Sequence, residues 1–294
     1  MNENEWWAGQ FEQNRDHLRA VAYRMLGSAS EADDAVQETW LRLSRSHAAS
    51  IGNLRAWLTT VVARVCLDTL RSRASRREES LDAKPFEPAA DQRRAPDPEQ
   101  EAQLADSVSL ALLIVLQRLA PSERVAFILH DMFDVPFEEI ASIVDRSPDA
   151  ARQLASRARR RVQGAAAPDH AELHRQREVV DAFLAALRTA DVNGLIAVLD
   201  PQVVVRIDEF AGRPGAPREL RGAENWARGA VAFARFAQSM EPMQIDGAPG
   251  LVVAPHGSVS RAVKFTIAKG KIVEAEIIAD PARLREFELS ILPH

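Results

Sequence analysis

Cysteine is almost missing from this chain of 294 residues, where Cys66 is the single example. One thiol closes no internal disulfide and cannot build a cysteine-rich zinc site. It stands in the apolar stretch Val61-Val-Ala-Arg-Val-Cys66-Leu, which suits a packed small side chain better than a reactive one. Long apolar runs are missing too. None approaches the ~20 residues that a helix needs to cross a bilayer. The opening Met1-Asn-Glu-Asn-Glu5 is acidic and has no apolar signal core, so a cytoplasmic protein is expected, with no membrane partner. A net positive charge is also absent. The formal charge of −5 argues against a protein that coats nucleic acid indiscriminately. The basic residues are instead concentrated. Arg64, Arg71, Arg73, Arg76 and Arg77 share one segment, and five more arginines lie between Arg152 and Arg161. Such patches on an acidic body suit DNA binding at particular surfaces, and the acidic remainder suits a protein partner. The length allows two or three compact domains, and no internal repeat is visible.

The most informative stretch is Phe137–Val162. Two short helical patterns meet at a turn, Asp145-Arg146, followed by Ser147 as N-cap and Pro148 as first helical residue. Ala151, Leu154, Ala155, Ala158 and Val162 recur at helical spacing and should pack inward. Opposite them stand Asp149, Arg152, Gln153, Ser156, Arg157 and Arg160, whose guanidinium and amide groups suit base edges and phosphates. The pattern is that of a helix-turn-helix whose second helix reads DNA.

Upstream, residues 7–77 read as all helix. Leu18, Val21, Ala22, Met25 and Leu26 form an apolar face that Gly27 ends. Ser30-Glu-Ala-Asp33 has the form of a capping box, and Ala32, Val36, Trp40 and Leu43 should face inward behind it. Ser44–Asn53 reads as a loop, and Leu54 to Val65 as a third helix ending in the arginine cluster. Residues 78–103 hold four prolines among charged residues and read as a linker. Residues 104–164 form the second helical segment, and Ala165–Pro168 a hinge. From 170 to 294 the pattern changes to helices at 171–189, 192–199 and 222–237, with strands at 203–207, 251–254, 258–268 and 271–278 and a turn at Gly270. An α+β domain with an antiparallel meander is expected there.

In the second helix Asp34, Gln37, Glu38 and Leu41 form one stripe at i, i+3, i+4 and i+7. An exposed leucine among acidic groups suits a basic partner helix. The text Ala32-Asp-Asp-Ala-Val-Gln-Glu-Thr-Trp-Leu-Arg-Leu43 resembles the second conserved region of bacterial sigma factors, and Leu54–Arg71 resembles the promoter-reading part that follows it. The helix-turn-helix is similar to region four, at the right distance. Together, over residues 11–162, the chain resembles the extracytoplasmic-function class of the sigma-70 family. That resemblance implies a non-enzymatic factor that binds core RNA polymerase, through its β′ clamp helices and β flap, and reads −35 and −10 promoter elements. It places Asp34, Gln37, Glu38 and Leu41 on the clamp. It gives the −10 element to the loop His47–Asn53, including Asn53, and to the helix bearing Arg64, Arg71 and Arg73. It gives the −35 element to Arg152, Gln153, Ser156 and Arg157, with Arg159, Arg160 and Arg161 mostly on phosphate.

The remaining segment resembles SnoaL-like domains of the nuclear transport factor 2-like cone fold. The likeness rests on Val179–Val204, Leu220-Arg-Gly-Ala-Glu224 and Lys264–Leu284. Sigma factors with this extension resemble the SigJ-type subgroup, in which the third domain modulates activity. Arg206, Asp208, Trp226 and His256 are its candidate pocket residues; an Asp208–His256 pair would be the catalytic alternative, and an exposed loop His256 the plainer one. No cofactor or metal is implied. A polymerase-independent regulator and a cone-domain isomerase or cyclase are the competing functions.

Overall fold

The computed structural model describes residues 3–46, 51–81, 109–164, 170–212, 218–255 and 258–292. The loop residues 47–50, most of the expected linker, the hinge at 165–168 and His256 lie outside them. The described chain divides into two compact units, residues 1–109 with 116–159, and residues 110–115 with 160–294.

The first unit is all helix. Helices α1 (Glu3–Leu26), α2 (Ala29–Arg45) and α3 (Leu54–Leu81) pack on one another. Leu18, Val21, Ala22, Met25 and Leu26 are each 3% exposed or less, so the apolar face read from the sequence is the core. Gly27 ends α1 in the left-handed region (φ +74), with its N–H donating to the Tyr23 carbonyl at 2.8 Å. The cap of α2 lies two residues earlier than the capping-box pattern suggests. Ser28, not Ser30, accepts from the Glu31 N–H, and Ala29 opens the helix. Trp40 is only half-buried, with its ring 5.1 Å from Phe11, and Thr39 takes the interior position beside it. The Thr39 hydroxyl donates back to the Ala35 carbonyl at 2.8 Å, which satisfies it without a partner outside the helix.

Helix α4 (Leu110–Arg118) precedes α5 (Pro121–Phe127), which continues into a π-helical turn, Ile128–Met132. Then come α6 (Phe137–Val144) and α7 (Pro148–Gln163). Within the first unit α3 packs on α5 and α6, and α1 on the π-helical turn. The seam between the two helical segments has specific polar contacts. The guanidinium of buried Arg124 donates to the Met25 carbonyl at 3.0 Å, and Arg64 donates to the Ser142 carbonyl at 3.1 Å. Phe133 meets the His17 ring edge-on at 5.4 Å, and the Arg24 guanidinium lies over its face at 5.2 Å.

The second unit contains α8 (His170–Arg188), α9 (Val192–Val198), β1 (Leu199–Ile207) and β2 (Glu219–Arg221). They are followed by α10 (Ala223–Ala230), a 3-10 turn at Val231–Phe233 and α11 (Ala234–Ala237). Strands β3 (Met240–Ile245), β4 (Ala248–Val253), β5 (Arg261–Ala268) and β6 (Lys271–Ile278), helix α12 (Pro281–Glu286) and β7 (Leu289–Ile291) complete it. The seven strands form one sheet in the order β2-β1-β6-β5-β4-β3-β7. All neighbours are antiparallel except β1 and β6, which run parallel with Val205 opposite Ala275. The expected meander is therefore completed by a parallel first strand. Helix α8 packs on β3 and β4, and Phe183, Leu195, Val203, Trp226, Phe265 and Ile272 fill the core. This is the α+β arrangement expected of the third domain. Two hairpin turns place consecutive residues at positive φ, Asp246-Gly247 (53° and 83°) and Lys269-Gly270 (51° and 70°), as tight hairpins require.

Candidate functional site

The helix-turn-helix forms where its residues indicate. Asp145 takes the left-handed conformation that ends α6 (φ 56), and the Arg146 N–H returns to the Ala141 carbonyl at 3.0 Å. The Ser147 hydroxyl accepts from the Ala150 N–H at 3.2 Å. Ala151, Ala155, Ala158 and Val162 are buried, and Leu154 half-buried. The short alanine side chains let α7 sit close on its neighbours and leave the opposite side to solvent. Arg152, Gln153, Ser156, Arg157 and Arg160 are all exposed there.

These exposed side chains differ in what holds them. Arg152 pairs with Asp149 at 2.6 Å, between side chains 57% and 87% exposed, and its guanidinium lies over the Phe137 ring at 5.2 Å. Phe137 in turn stacks on His130, centroids 3.9 Å apart. Arg157 donates to Glu123 at 3.0 Å, and that carboxylate is only 8% exposed. Arg159 pairs with Asp131 of the π-helical turn at 2.6 Å. Glu123 and Asp131 escape a reading of the sequence because they lie 34 and 28 residues from their partners, with no local pattern joining them.

The residues expected at the −10 element are not equivalent. Asn53 caps α3, its side-chain oxygen accepting from the Ala56 N–H at 3.1 Å. Arg71 is exposed, and Arg64 is exposed while bonded to Ser142 of α6. Arg73 is turned inward, ion-paired with Glu31 and donating to the Leu26 carbonyl. Trp57 is half-buried.

The acidic stripe is presented on one side of α2. Asp34 and Gln37 are exposed, Leu41 is 37% exposed, and Glu38 is shared with Arg42 at 2.9 Å. Beside it lies an open cleft of about 480 Å³, lined by Phe11, Arg15, Asp16, Arg19, Asp33, Gln37 and Trp40. Stripe and cleft share Gln37, so carboxylates, an amide and an aromatic floor form one surface.

In the second unit the candidate pocket residues serve separate purposes. Arg206 is exposed on β1 and ion-paired with Glu274. Trp226 is 5% exposed and packs on Phe183, rings 5.1 Å apart. Asp208 accepts from three backbone N–H groups, those of Ala211, Ala279 and Asp280, at 2.7–2.9 Å. A carboxylate so engaged braces a loop junction. Among the described residues no group of His, Cys, Asp or Glu could hold a metal. Cys66 is buried, and burial pushes its thiol up to about 12, which leaves it protonated and unreactive. Among the described residues no helix is long and apolar enough to cross a membrane.

Comparison with known proteins gives two family matches in chain order. Residues 10–76 match Sigma-70 region 2, and residues 109–162 match Sigma-70, region 4. The chain is 42% identical over 224 residues to the ECF RNA polymerase sigma factor SigJ of Mycobacterium tuberculosis, covering 74% of this chain and 70% of that protein. It is 32% identical over 291 residues to the probable ECF RNA polymerase sigma factor SigI of the same species, covering 97% of each. Superposition on the crystal structure of M. tuberculosis SigJ covers 94% of this chain and 98% of that one, with a TM-score of 0.45 and 31% identity.

Proposed function

The chain belongs to the extracytoplasmic-function sigma factors of the sigma-70 family, and from that membership we propose how its parts divide the work. It directs promoter-specific initiation by core RNA polymerase and is not an enzyme. The observation that carries this reading is the occurrence, in order, of both sigma regions in one chain. Residues 7–77 act as region 2, 104–164 as region 4, with 78–103 between them, and 170–294 as the modulating domain.

Asp34, Gln37, Glu38 and Leu41 dock on the clamp helices of β′, where their charge favours a basic partner and speeds encounter. The β flap is the second polymerase contact. Arg64 and Arg71 meet the −10 element, with Asn53 holding the start of their helix. Arg152, Gln153 and Ser156 meet base edges of the −35 element, and Arg160 touches phosphate. The two elements lie about 25 base pairs apart, roughly 85 Å along B-DNA at ~34 Å per turn. Arg64 of one surface is hydrogen-bonded to the first helix of the other. Both elements are therefore bound only after the seam at Met25, Arg64 and Phe133 has parted, and polymerase binding is the step that parts it. The chain acts in the cytoplasm, where polymerase and promoter are. Adding the purified chain to core polymerase and mapping start sites on genomic templates tests the whole reading: transcripts from a defined promoter set support it, and none would defeat it.

A further inference from the structure

The arginines of α7 look alike in sequence, yet their surroundings separate them. Arg152 is tied to Asp149, but both ends of that pair stand in water and the partners are one helical turn apart. A pair of this kind contributes little and is released at little cost. Arg157 is held by Glu123, whose side chain is 8% exposed and comes from α5, an element on which the fold of the unit depends. Withdrawing Arg157 toward DNA would break an ion pair to a buried carboxylate, which costs more than releasing Arg152 from the exposed Asp149. Arg159, two residues on, is paired with Asp131 of the π-helical turn, a more accessible carboxylate. Two arginines of the helix are thus engaged by acids of the scaffold. Gln153 and Ser156 are exposed, and neither side chain has a hydrogen-bond partner among the described residues.

We propose that Arg157 is a positioning residue clamped by Glu123, and that base reading by α7 falls to Arg152, Gln153 and Ser156. The clamp fixes α7 on α5, and so sets the angle at which the readers enter the major groove. Gln153, near the start of the helix, has the amide that pairs bidentately with adenine N6 and N7, so an A·T pair is expected among the −35 positions it faces. The inference rests on the reading of α7 as the −35-reading helix.

Salt dependence separates a clamp from a DNA contact. Each phosphate neutralised contributes a slope of about −0.9 to the dependence of log affinity on log salt. Holoenzyme is assembled from core polymerase and the full chain, and its affinity is measured on a promoter panel with every single-base change in the −35 element, at several salt concentrations. R157A is expected to keep both the base profile and the slope, with affinity reduced alike on all templates. E123Q frees the guanidinium for phosphate and is expected to steepen the slope by about one; E123Q/R157Q returns it to the wild-type value. R152A and Q153A each relax one position, the latter at an A·T pair. R157K retains the charge opposite Glu123 and serves in place of R157A if that variant does not fold. Relaxed preference at one position in R157A or R157K, a slope flattened by about one, or an unchanged slope in E123Q would overturn the clamp. Should R152A, Q153A and R160A all leave promoter preference and salt slope untouched, the reading of α7 itself falls, which is a different pattern from failure of the clamp.

Discussion

Single side chains at the two interaction surfaces can be tested by charge. Asp34 and Glu38 face outward on α2, and lysines in their place would set like charges against a basic polymerase helix. Such a juxtaposition costs several kcal/mol; a loss of about 3 kcal/mol is roughly hundredfold in Kd. D34K/E38K is therefore expected to bind core polymerase far more weakly than the parent in a pull-down titration, and equal affinity would remove the stripe from the interface. Replacing Arg152 by alanine should cost ~1–3 kcal/mol at one −35 position if the guanidinium reads a base. His17 bears on stability. Burial, then the neighbouring Arg55 and Arg24, lowers its pKa below the usual 6.5. Its ring lies against Thr59, Arg55 and Phe133, with Nδ1 accepting from the Arg55 guanidinium at 3.1 Å, which requires the neutral form at that nitrogen. The folded state thus binds fewer protons than the unfolded chain. Stability from this group is complete above pH ~6.5 and is lost as pH falls from there toward the lowered value. The melting temperature is expected to fall over that range and to fall less in H17Q; identical pH profiles would rule out His17 as the cause.

Among the elements, the seam between the helical segments hangs on α5 and the π-helical turn, where Arg124 reaches the Met25 carbonyl and Phe133 sits between His17 and Arg24. Removing the Arg124 guanidinium leaves a buried carbonyl without that donor, a cost of ~1–3 kcal/mol. An R124M chain should melt at lower temperature than the parent, and an unchanged melting curve would mean that the seam does not depend on this bond. None of this seam is visible in the sequence, because its partners are far apart along the chain and each is an ordinary helical residue by itself. What was legible followed local rules. The Asp145–Pro148 turn, the Gly27 stop and the apolar faces of α1 and α7 each depend on residues within one or two turns. The stripe Asp34–Leu41 was legible for the same reason. The α2 cap is ambiguous in sequence because Ser28 and Ser30 both satisfy the pattern, and only backbone conformation chooses between them. Strands β2, β3 and β7 carry no clear local signal: two are only three residues long, and β3 contains Pro242. The parallel pairing of β1 with β6 is a long-range choice that period-two alternation cannot express.

For the molecule as a whole, the C-terminal unit takes in more than the chain that follows α7. Residues 110–115 belong to it, including buried Leu113, Ile114 and Val115 at the start of region 4. Gly164, at φ +77, lies where an added Cβ would come within 2.4 Å of the Ser290 hydroxyl, which itself donates to buried Gln244. The end of α7 is thus built into the sheet unit through a residue that only glycine fills without strain. Truncation after Gly164 removes the sheet residues Gln244 and Ser290 against which Gly164 lies. The truncated chain should keep the helical far-UV signature of residues 3–81, melt earlier and transcribe its promoters at a strongly altered rate. An unaltered rate would show that residues 170–294 do not modulate activity. The most direct measurement is multi-round transcription in vitro with purified core polymerase, with and without the full-length chain, on templates carrying intact or scrambled −35 and −10 elements. A sigma factor yields transcripts that start at one position, require the added chain and disappear when either element is scrambled. Sequence-specific DNA binding by the chain alone, with no transcript in the presence of core polymerase, would contradict that assignment and leave a polymerase-independent regulator in its place.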